Sequence, residues 1–198
     1  MMSKTQRNNE LGYVPDPSEA LRGVRSLLQF IGEDVEREGL KETPERVLRA
    51  FVEMTSGMNE DVSKYLSKTF DVKSDEMVLV KGIRFASMCE HHLLPFTGTA
   101  TVAYIPNGRV VGLSKLPRTV LAYAKRPQVQ ERMTEQIADA LDSHLNPKGV
   151  GVIIRANHSC MGCRGIKQPD AEMITSAMRG LMFTDPKARS EFLQLARE

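Results

Sequence analysis

The sequence predicts a fold of the α+β class, with helices near the start of the chain and an antiparallel sheet further along. Two observations carry this prediction. In several segments, apolar residues recur every three or four positions, as on one face of a helix. Residues 77–115, 148–160 and 172–183 are instead rich in β-branched and apolar residues, which is typical of strands. A chain of 198 residues is long enough for one globular domain with an N-terminal helical extension.

The helical part begins with two amphipathic segments. From Ser18 to Ile31 the apolar residues follow helical spacing, and the pattern ends near Gly32. In the segment KETPERVLRAFVEMTSG, Thr43 is placed to cap a second helix and Pro44 suits its first position. We therefore expect two helices before the first long strand.

The middle of the chain alternates strands and helices. Three turn residues interrupt the strand-forming segment 77–115, namely Pro106, Asn107 and Gly108. This interruption predicts at least three antiparallel strands. After them, Pro117 opens a short helix, and residues 127–145 place their apolar side chains on one face of the longest helix.

The last third of the chain returns to strands. The segment 148–160 alternates apolar and other residues, and the segment 172–183 offers a further strand. Asp185 and Pro186 then start a closing helix. These elements complete the helix and strand order of an α+β protein.

The composition excludes several classes of function. With 27 basic and 25 acidic residues, the net charge of +2 is too balanced to predict non-specific nucleic-acid binding. The first residues lack the apolar core of a signal peptide, and no run of about 18 apolar residues suggests a membrane span. The three cysteines are odd in number and fit a reducing compartment. We expect a cytoplasmic protein with no nucleic-acid and no membrane partner.

The stretch SMCEHHLLPF, residues 87–96, concentrates groups that bind metal ions. A thiolate and an imidazole three residues apart, Cys89 and His92, can both reach one ion, and zinc favours sulfur and nitrogen ligands. A third donor is available in NHSCMGC, where Cys160 and Cys163 are the only other thiols. Three protein ligands leave a position for water, as in catalytic zinc sites, whereas binding by both thiols closes the site. The residues alone leave the two arrangements open.

Five blocks of the sequence carry a family resemblance: SMCEHHLLPF, GLSKLPR, RPQVQER, NHSCMGCRGI and ITSAMRG. In this order and spacing, from about residue 18 onward, they resemble the GTP cyclohydrolase I family, which opens the guanine ring of GTP in pterin and folate synthesis. The resemblance implies a T-fold, an antiparallel sheet with helices packed on one face, plus an N-terminal helical extension. It also implies a toroidal homodecamer with active sites between subunits. On this basis we divide the chain into a flexible tail (1–15), a helical region (16–72) and a T-fold catalytic domain (73–198).

The resemblance further implies roles for individual residues. The implied zinc ligands are Cys89, His92 and Cys160. The implied catalytic residues are His91 and His158. Guanine recognition is implied for Gln130 and Glu131. Residues that hold the triphosphate or line its pocket are matched by Arg46, Ser114, Lys115, Arg118 and Arg164.

The implied chemistry suits these residue types. Water attacks C8 of guanine near neutral pH only when it is activated, and zinc lowers the pKa of bound water to about 7. Histidine suits the proton transfers to the purine nitrogens. A carboxylate such as Glu131 can accept the N1 and N2 protons of guanine together, a contact that adenine cannot reproduce. The expected products of GTP and water are 7,8-dihydroneopterin triphosphate and formate.

Two other classes of function would use part of the same residues. A T-fold nitrile reductase uses a nucleophilic cysteine and has no need of a third metal donor, so the complete donor set argues against it. A non-catalytic module would hold a structural, four-coordinate zinc through Cys163. Such a module has no use for His91, His158 or Glu131, and the presence of these residues favours the hydrolase.

Overall fold

The computed structural model describes residues 16–197, so the predicted tail at residues 1–15 lies outside the described residues. The chain divides into two compact units, Met1–Thr55 and Ser56–Glu198. The functional division at residue 72 stays a prediction. Within the described part, no helix is long and apolar enough to cross a membrane.

The described part of the first unit consists of two helices, α1 (Pro17–Phe30) and α2 (Thr43–Met54). Asp16 caps α1, because its carboxylate accepts a hydrogen bond of 2.9 Å from the backbone N–H of Ser18. Both helices confirm the predicted segments. The prediction that Thr43 caps α2 is wrong: Thr43 is already helical, and its hydroxyl donates to the carbonyl of Gly39 at 3.4 Å.

The second unit contains a 3-10 turn, six helices and seven strands among its described residues. The turn is Ser56–Asn59. The helices are α3 (Ser63–Leu66), α4 (Lys115–Ala124), α5 (Gln130–Leu145), α6 (Ser159–Gly162), α7 (Leu181–Thr184) and α8 (Pro186–Arg197). The strands are β1 (Thr69–Asp71), β2 (Val78–Cys89), β3 (Pro95–Ile105), β4 (Arg109–Val111), β5 (Pro127–Gln128), β6 (Gly149–His158) and β7 (Glu172–Gly180).

Five strands form one sheet in the order β5-β2-β3-β6-β7. All neighbours are antiparallel except β2 and β5, which pair in parallel over two residues. The three strands predicted within 77–115 are present, but β4 pairs with β1 in a separate ribbon. It cannot extend the sheet beside β3, because β2 and β6 already occupy both edges of β3.

Helices α4 and α5 cover one face of the sheet. Their side chains, such as Val120 and Ile137, pack with Val102 and Ile154 in the main core. A smaller apolar cluster lies on the opposite face, where Phe192 of α8 packs with strand residues that include Ile105, Ile153 and Met178. The predicted packing of helices on one face therefore applies to α4 and α5 and does not extend to α8.

The ends of α5 and β7 are set by residues with a positive φ, and the start of α4 differs from its predicted position. The longest described helix is α5, as predicted, and it ends where Asn146 takes a left-handed conformation with φ of 46°. Helix α4 begins at Lys115, two residues before the predicted start at Pro117. Strand β7 ends at Gly180, whose φ of 56° redirects the chain into α7, so the predicted strand at 172–183 is shorter.

Candidate active site and metal centre

Cys89 is the last residue of β2, and His92 lies on the tight loop between β2 and β3. The backbone N–H of Cys89 donates to the carbonyl of Leu94 at 2.8 Å, and the N–H of Leu93 donates to the carbonyl of Cys89 at 2.8 Å. Leu93 has a φ of 54°, a left-handed conformation that non-glycine residues seldom adopt. These contacts reverse the chain within a few residues, so the Cys89 thiol and the His92 ring approach each other, with Sγ 3.8 Å from Nδ1.

Cys160 completes a cluster of three metal-binding groups. It lies in α6, the single helical turn that follows β6, and the donor atoms of Cys89, His92 and Cys160 lie within 4.8 Å of one another. Zinc bonds to sulfur and nitrogen are about 2.3 and 2.0–2.1 Å long, so one ion can reach all three atoms. Cys163 instead donates its thiol proton to the carbonyl of Ser159 at 2.8 Å. Among residues 16–197, the three-donor group therefore contains Cys160 and not Cys163.

The electrostatics of the Cys89 and Cys160 thiols, one buried and one half-buried, suit a cation. Without an ion, burial raises the pKa of Cys160 above its usual value, and the charge of the neighbouring Cys89 thiol raises it further. A cation between the sulfurs removes this repulsion and favours both thiolates. Two sulfurs and one imidazole nitrogen form a donor set that zinc accepts readily. The residues present therefore fit a zinc ion.

Arg164 contacts the other ring nitrogen of His92, with Nη1 3.2 Å from Nε2. A guanidinium group only donates, so this contact is a hydrogen bond only when Nε2 carries a lone pair. Arg164 is exposed beside the cluster, so its charge is available to an anionic ligand.

His91 is exposed, and the loop that carries it is tied to the start of α5. Its Nε2 lies 3.9 Å from the Glu90 carboxylate, which in turn forms an ion pair with Arg132. The hydrogen bond from Arg132 holds the pKa of Glu90 below its usual value, so the carboxylate stays charged. Arg132 also donates from Nε to the side chain of Gln128 at 3.1 Å. Sequence reasoning missed Arg132, because an arginine on a helix resembles any solvated charge.

His158 ends β6 and is held on two sides. Its ring stacks on Phe96 with centroids 4.5 Å apart and an angle of 6° between the planes. Its Nε2 lies 2.8 Å from Oε1 of Gln130. Burial lowers the pKa of His158 below its usual value, and the charge of Glu131 opposes this effect only in part. The imidazole is therefore neutral at pH 7.

The two residues predicted to recognise guanine differ in exposure. Glu131 is exposed in the first turn of α5, and its charge acts on His158. Gln130, the first residue of that helix, is only 1% exposed, and its side chain points into the protein. The carboxylate of Glu131 is thus accessible to a ligand, whereas the amide of Gln130 is engaged in internal hydrogen bonds.

The residues predicted to hold the triphosphate do not all lie at the metal cluster. Ser114, Lys115 and Arg118 surround the start of α4, and no side-chain hydrogen bond or ion pair engages them within residues 16–197. Arg46 belongs to the first unit, where it forms an ion pair of 2.7 Å with Glu42. Arg164 is the predicted phosphate-binding residue that contacts the cluster.

Comparison with known proteins identifies relatives along nearly the whole chain. The model of the GTP cyclohydrolase I family matches residues 20–197. A protein of Rhodopirellula baltica named GTP cyclohydrolase 1 is 50% identical over 194 residues, which are 98% of this chain and 83% of that protein. A protein of the same name from Dehalococcoides mccartyi is 54% identical over 179 residues, 89% of this chain and 95% of the relative.

Among solved structures, the archaeosine synthase QueF-Like in the apo form aligns with 55% of this chain and 97% of its own, with a TM-score of 0.46 and 23% identity. That likeness is too distant to establish a shared fold or function. The family match and the two relatives, in contrast, extend over both units of the chain. The chain therefore belongs to the GTP cyclohydrolase I family.

Proposed function

We propose that this protein is a zinc-dependent hydrolase that converts GTP and water into 7,8-dihydroneopterin triphosphate and formate, the first step of pterin and tetrahydrofolate synthesis. The observation that carries the proposal is the approach of Cys89, His92 and Cys160 to within 4.8 Å, in a chain of the GTP cyclohydrolase I family. The relatives named GTP cyclohydrolase 1 support the same reaction.

Cys89, His92 and Cys160 would hold the zinc ion. Three protein ligands would leave a bound zinc accessible to water, and its Lewis acidity would make that water nucleophilic near neutral pH. The sulfur atoms come from two separate parts of the fold, the end of β2 and α6. Folding must therefore bring these parts together before an ion can be bound.

Guanine recognition falls to Glu131. Its exposed carboxylate, near His158, can accept the N1 and N2 protons of guanine as a pair of charge-assisted hydrogen bonds. Adenine has no matching pair of donors, which makes this contact selective. The nearby His158 then faces a base held in one orientation.

His158 and His91 would carry the protons. The neutral ring of His158 can accept a proton at pH 7, because its pKa is lowered by burial. His91 is exposed on the metal-binding loop and can exchange protons with solvent. Together they supply the general acid and base that opening of a purine ring requires.

The triphosphate would be bound by Arg46, Ser114, Lys115, Arg118 and Arg164, in a T-fold subunit of a homodecamer. Ser114, Lys115 and Arg118 have no side-chain hydrogen bond or ion pair within the described part of their own chain, which suits residues that serve the site of a neighbouring subunit. Arg164, which is exposed beside His92, would join them. We expect such an enzyme to work in the cytoplasm, with no nucleic-acid or membrane partner.

The experiment that tests the proposal is an assay of the purified protein with GTP. Formate release and the fluorescence of the oxidised pterin product are followed before chelation, after chelation, and after zinc is restored. We expect turnover that is lost with the ion and recovered with it. ATP serves as the matched control substrate and should not react. Folded, zinc-loaded protein that forms no product from GTP would overturn the proposal.

A further inference from the structure

The side chain of Gln130 forms the centre of a buried hydrogen-bond network beneath His158. The two protons of its amide nitrogen face three acceptors, the carbonyls of Ile154 at 3.2 Å and Met173 at 3.0 Å and the hydroxyl of Thr175 at 3.1 Å, so one proton is shared. Its amide oxygen lies 2.8 Å from Nε2 of His158. With 1% of its surface exposed, Gln130 has no face left for a ligand.

These partners fix the direction of the Gln130 amide. Backbone carbonyl oxygens only accept hydrogen bonds, so the NH₂ group must face Ile154 and Met173. The opposite orientation would place three oxygens against one another and leave buried acceptors without donors, which is strongly unfavourable. The oxygen of Gln130 must therefore face His158. Because that oxygen also only accepts, Nε2 of His158 must carry a proton.

A second layer of hydroxyl groups holds the amide in place. The hydroxyl of Thr134 donates to the backbone carbonyl of Gln130 at 2.7 Å, one helical turn back. Its oxygen then accepts from the hydroxyl of Thr175, 2.7 Å away, and Thr175 in turn accepts from the Gln130 amide. The network closes on itself, and no buried side-chain nitrogen or oxygen among the described residues lacks a partner.

We propose that Gln130 is a positioning residue that holds His158 in one tautomer, with the proton on Nε2 and the lone pair on Nδ1. Nδ1 has no hydrogen-bond partner within residues 16–197, so it is the nitrogen that takes a substrate proton and returns it, while Nε2 keeps its proton throughout. The stack on Phe96 fixes the plane of the ring in addition. The role assigned to Gln130 rests on the proposed function in one respect, that His158 acts on substrate.

The tautomer can be measured without any turnover. Protein labelled with ¹⁵N in its four histidines is examined by magic-angle-spinning NMR at neutral pH, a method that assembly size does not limit. His158→Asn identifies the His158 signals by their disappearance. We expect a protonated Nε2 and an unprotonated Nδ1 in the zinc-loaded protein. A proton on Nδ1 would overturn the inference, whether or not the protein hydrolyses GTP.

Two variants then separate positioning from substrate binding. Gln130→Met removes the acceptor at similar size, and Gln130→Glu keeps an oxygen that accepts from Nε2, even when the buried carboxyl is protonated. We expect Gln130→Met to populate both tautomers and to lose about a hundredfold in kcat with little change in KM, a loss at the low end for general acid–base catalysis. Gln130→Glu should retain the wild-type tautomer and more of the activity.

The contrary results are equally specific. A raised KM with unchanged kcat in Gln130→Met would give Gln130 the guanine-binding role that the family resemblance implies, and would overturn the positioning role. A wild-type tautomer in Gln130→Met would do the same, because the ring would then be held by other contacts. Thermal unfolding and zinc content are measured for each variant. If Gln130→Met does not fold, the wild-type spectrum and Gln130→Glu still decide the question.

Discussion

Gly98 lies at the centre of the sheet, opposite Ala156 in the pairing of β3 with β6. A methyl group added at this position would lie 1.9 Å from the backbone oxygen of Arg155 and 2.7 Å from the Cα of Ala156. Both are main-chain atoms of a central strand, so neither can turn aside as a flexible side chain can. Gly98→Ala must therefore separate the two strands.

The expected loss of stability follows from two effects. Overpacking of a well-packed interior costs about 1–3 kcal/mol. Separation of the strands also weakens neighbouring ladder hydrogen bonds, each with a net contribution of about 1 kcal/mol. We expect Gly98→Ala to lose about 3 kcal/mol, which for a domain of this size lowers Tm by roughly 6–12 °C.

The same shift reaches the site, because Phe96 and His158 pair two residues further along these strands. Scanning calorimetry gives Tm, and steady-state kinetics with GTP should show a lower kcat. Gly23→Ala is the control, since Gly23 lies within α1 and an added methyl group meets no atom within 4 Å. Replacement of a helical glycine by alanine stabilises by about 0.5–1 kcal/mol. A Tm of Gly98→Ala within 2 °C of wild type, at about wild-type activity, would refute the steric reasoning.

Three further predictions concern the site. Cys160→Ala should lose bound zinc, whereas His91→Ala should keep zinc and GTP binding but lose most turnover; metal analysis and kinetics compare them. Arg164→Ala should weaken GTP binding about tenfold or more at unchanged zinc content, because it removes a positive charge that binds the triphosphate. Binding of guanosine, which has no phosphate, should change little. His158 should titrate below the usual histidine value of about 6.5 in NMR, because burial lowers its pKa. The unfolded chain then binds this proton first, so folding stability declines as pH falls from about 6.5 towards the folded pKa.

Each of these has a contrary outcome. Full zinc content in Cys160→Ala would transfer the third metal ligand to Cys163. Equal weakening of GTP and guanosine binding in Arg164→Ala would place that arginine at the base and not at the phosphates. A titration of His158 above 6.5 would mean that the charge of Glu131 outweighs burial, and stability would then rise as pH falls through that range.

Regular patterns and close spacings were predictable from the sequence. The apolar stripe of α5 defines a helix on its own, and Cys89 and His92 are so close along the chain that any tight loop lets both reach one ion. The residues alone did not predict the choice between Cys160 and Cys163, which the family resemblance alone decided, because it depends on which way each side chain points from one short helical turn. Only the folded chain shows that the Cys163 thiol is turned to a backbone carbonyl.

Contacts between segments that are distant in the sequence were also not predictable. Gln130 looks like an exposed polar residue at a helix start, and its burial depends on the register of β6 and β7 beneath α5. The ion pair of Glu90 with Arg132 joins residues 42 positions apart, and neither helical nor strand spacing relates them. Likewise, the sequence of β4 predicts a third strand of the main sheet. In the structure β4 pairs with β1, because β6 already occupies the free edge of β3.

In the proposed reaction, zinc held by Cys89, His92 and Cys160 lets this protein release C8 of GTP as formate. The most direct test is ¹³C NMR of GTP labelled at C8, incubated with zinc-loaded protein and with chelated protein. We predict that the labelled carbon appears as formate with the loaded protein alone. Label that stays in intact GTP would rule out the proposed reaction, and label that leaves equally well after complete removal of the ion would rule out the role of zinc.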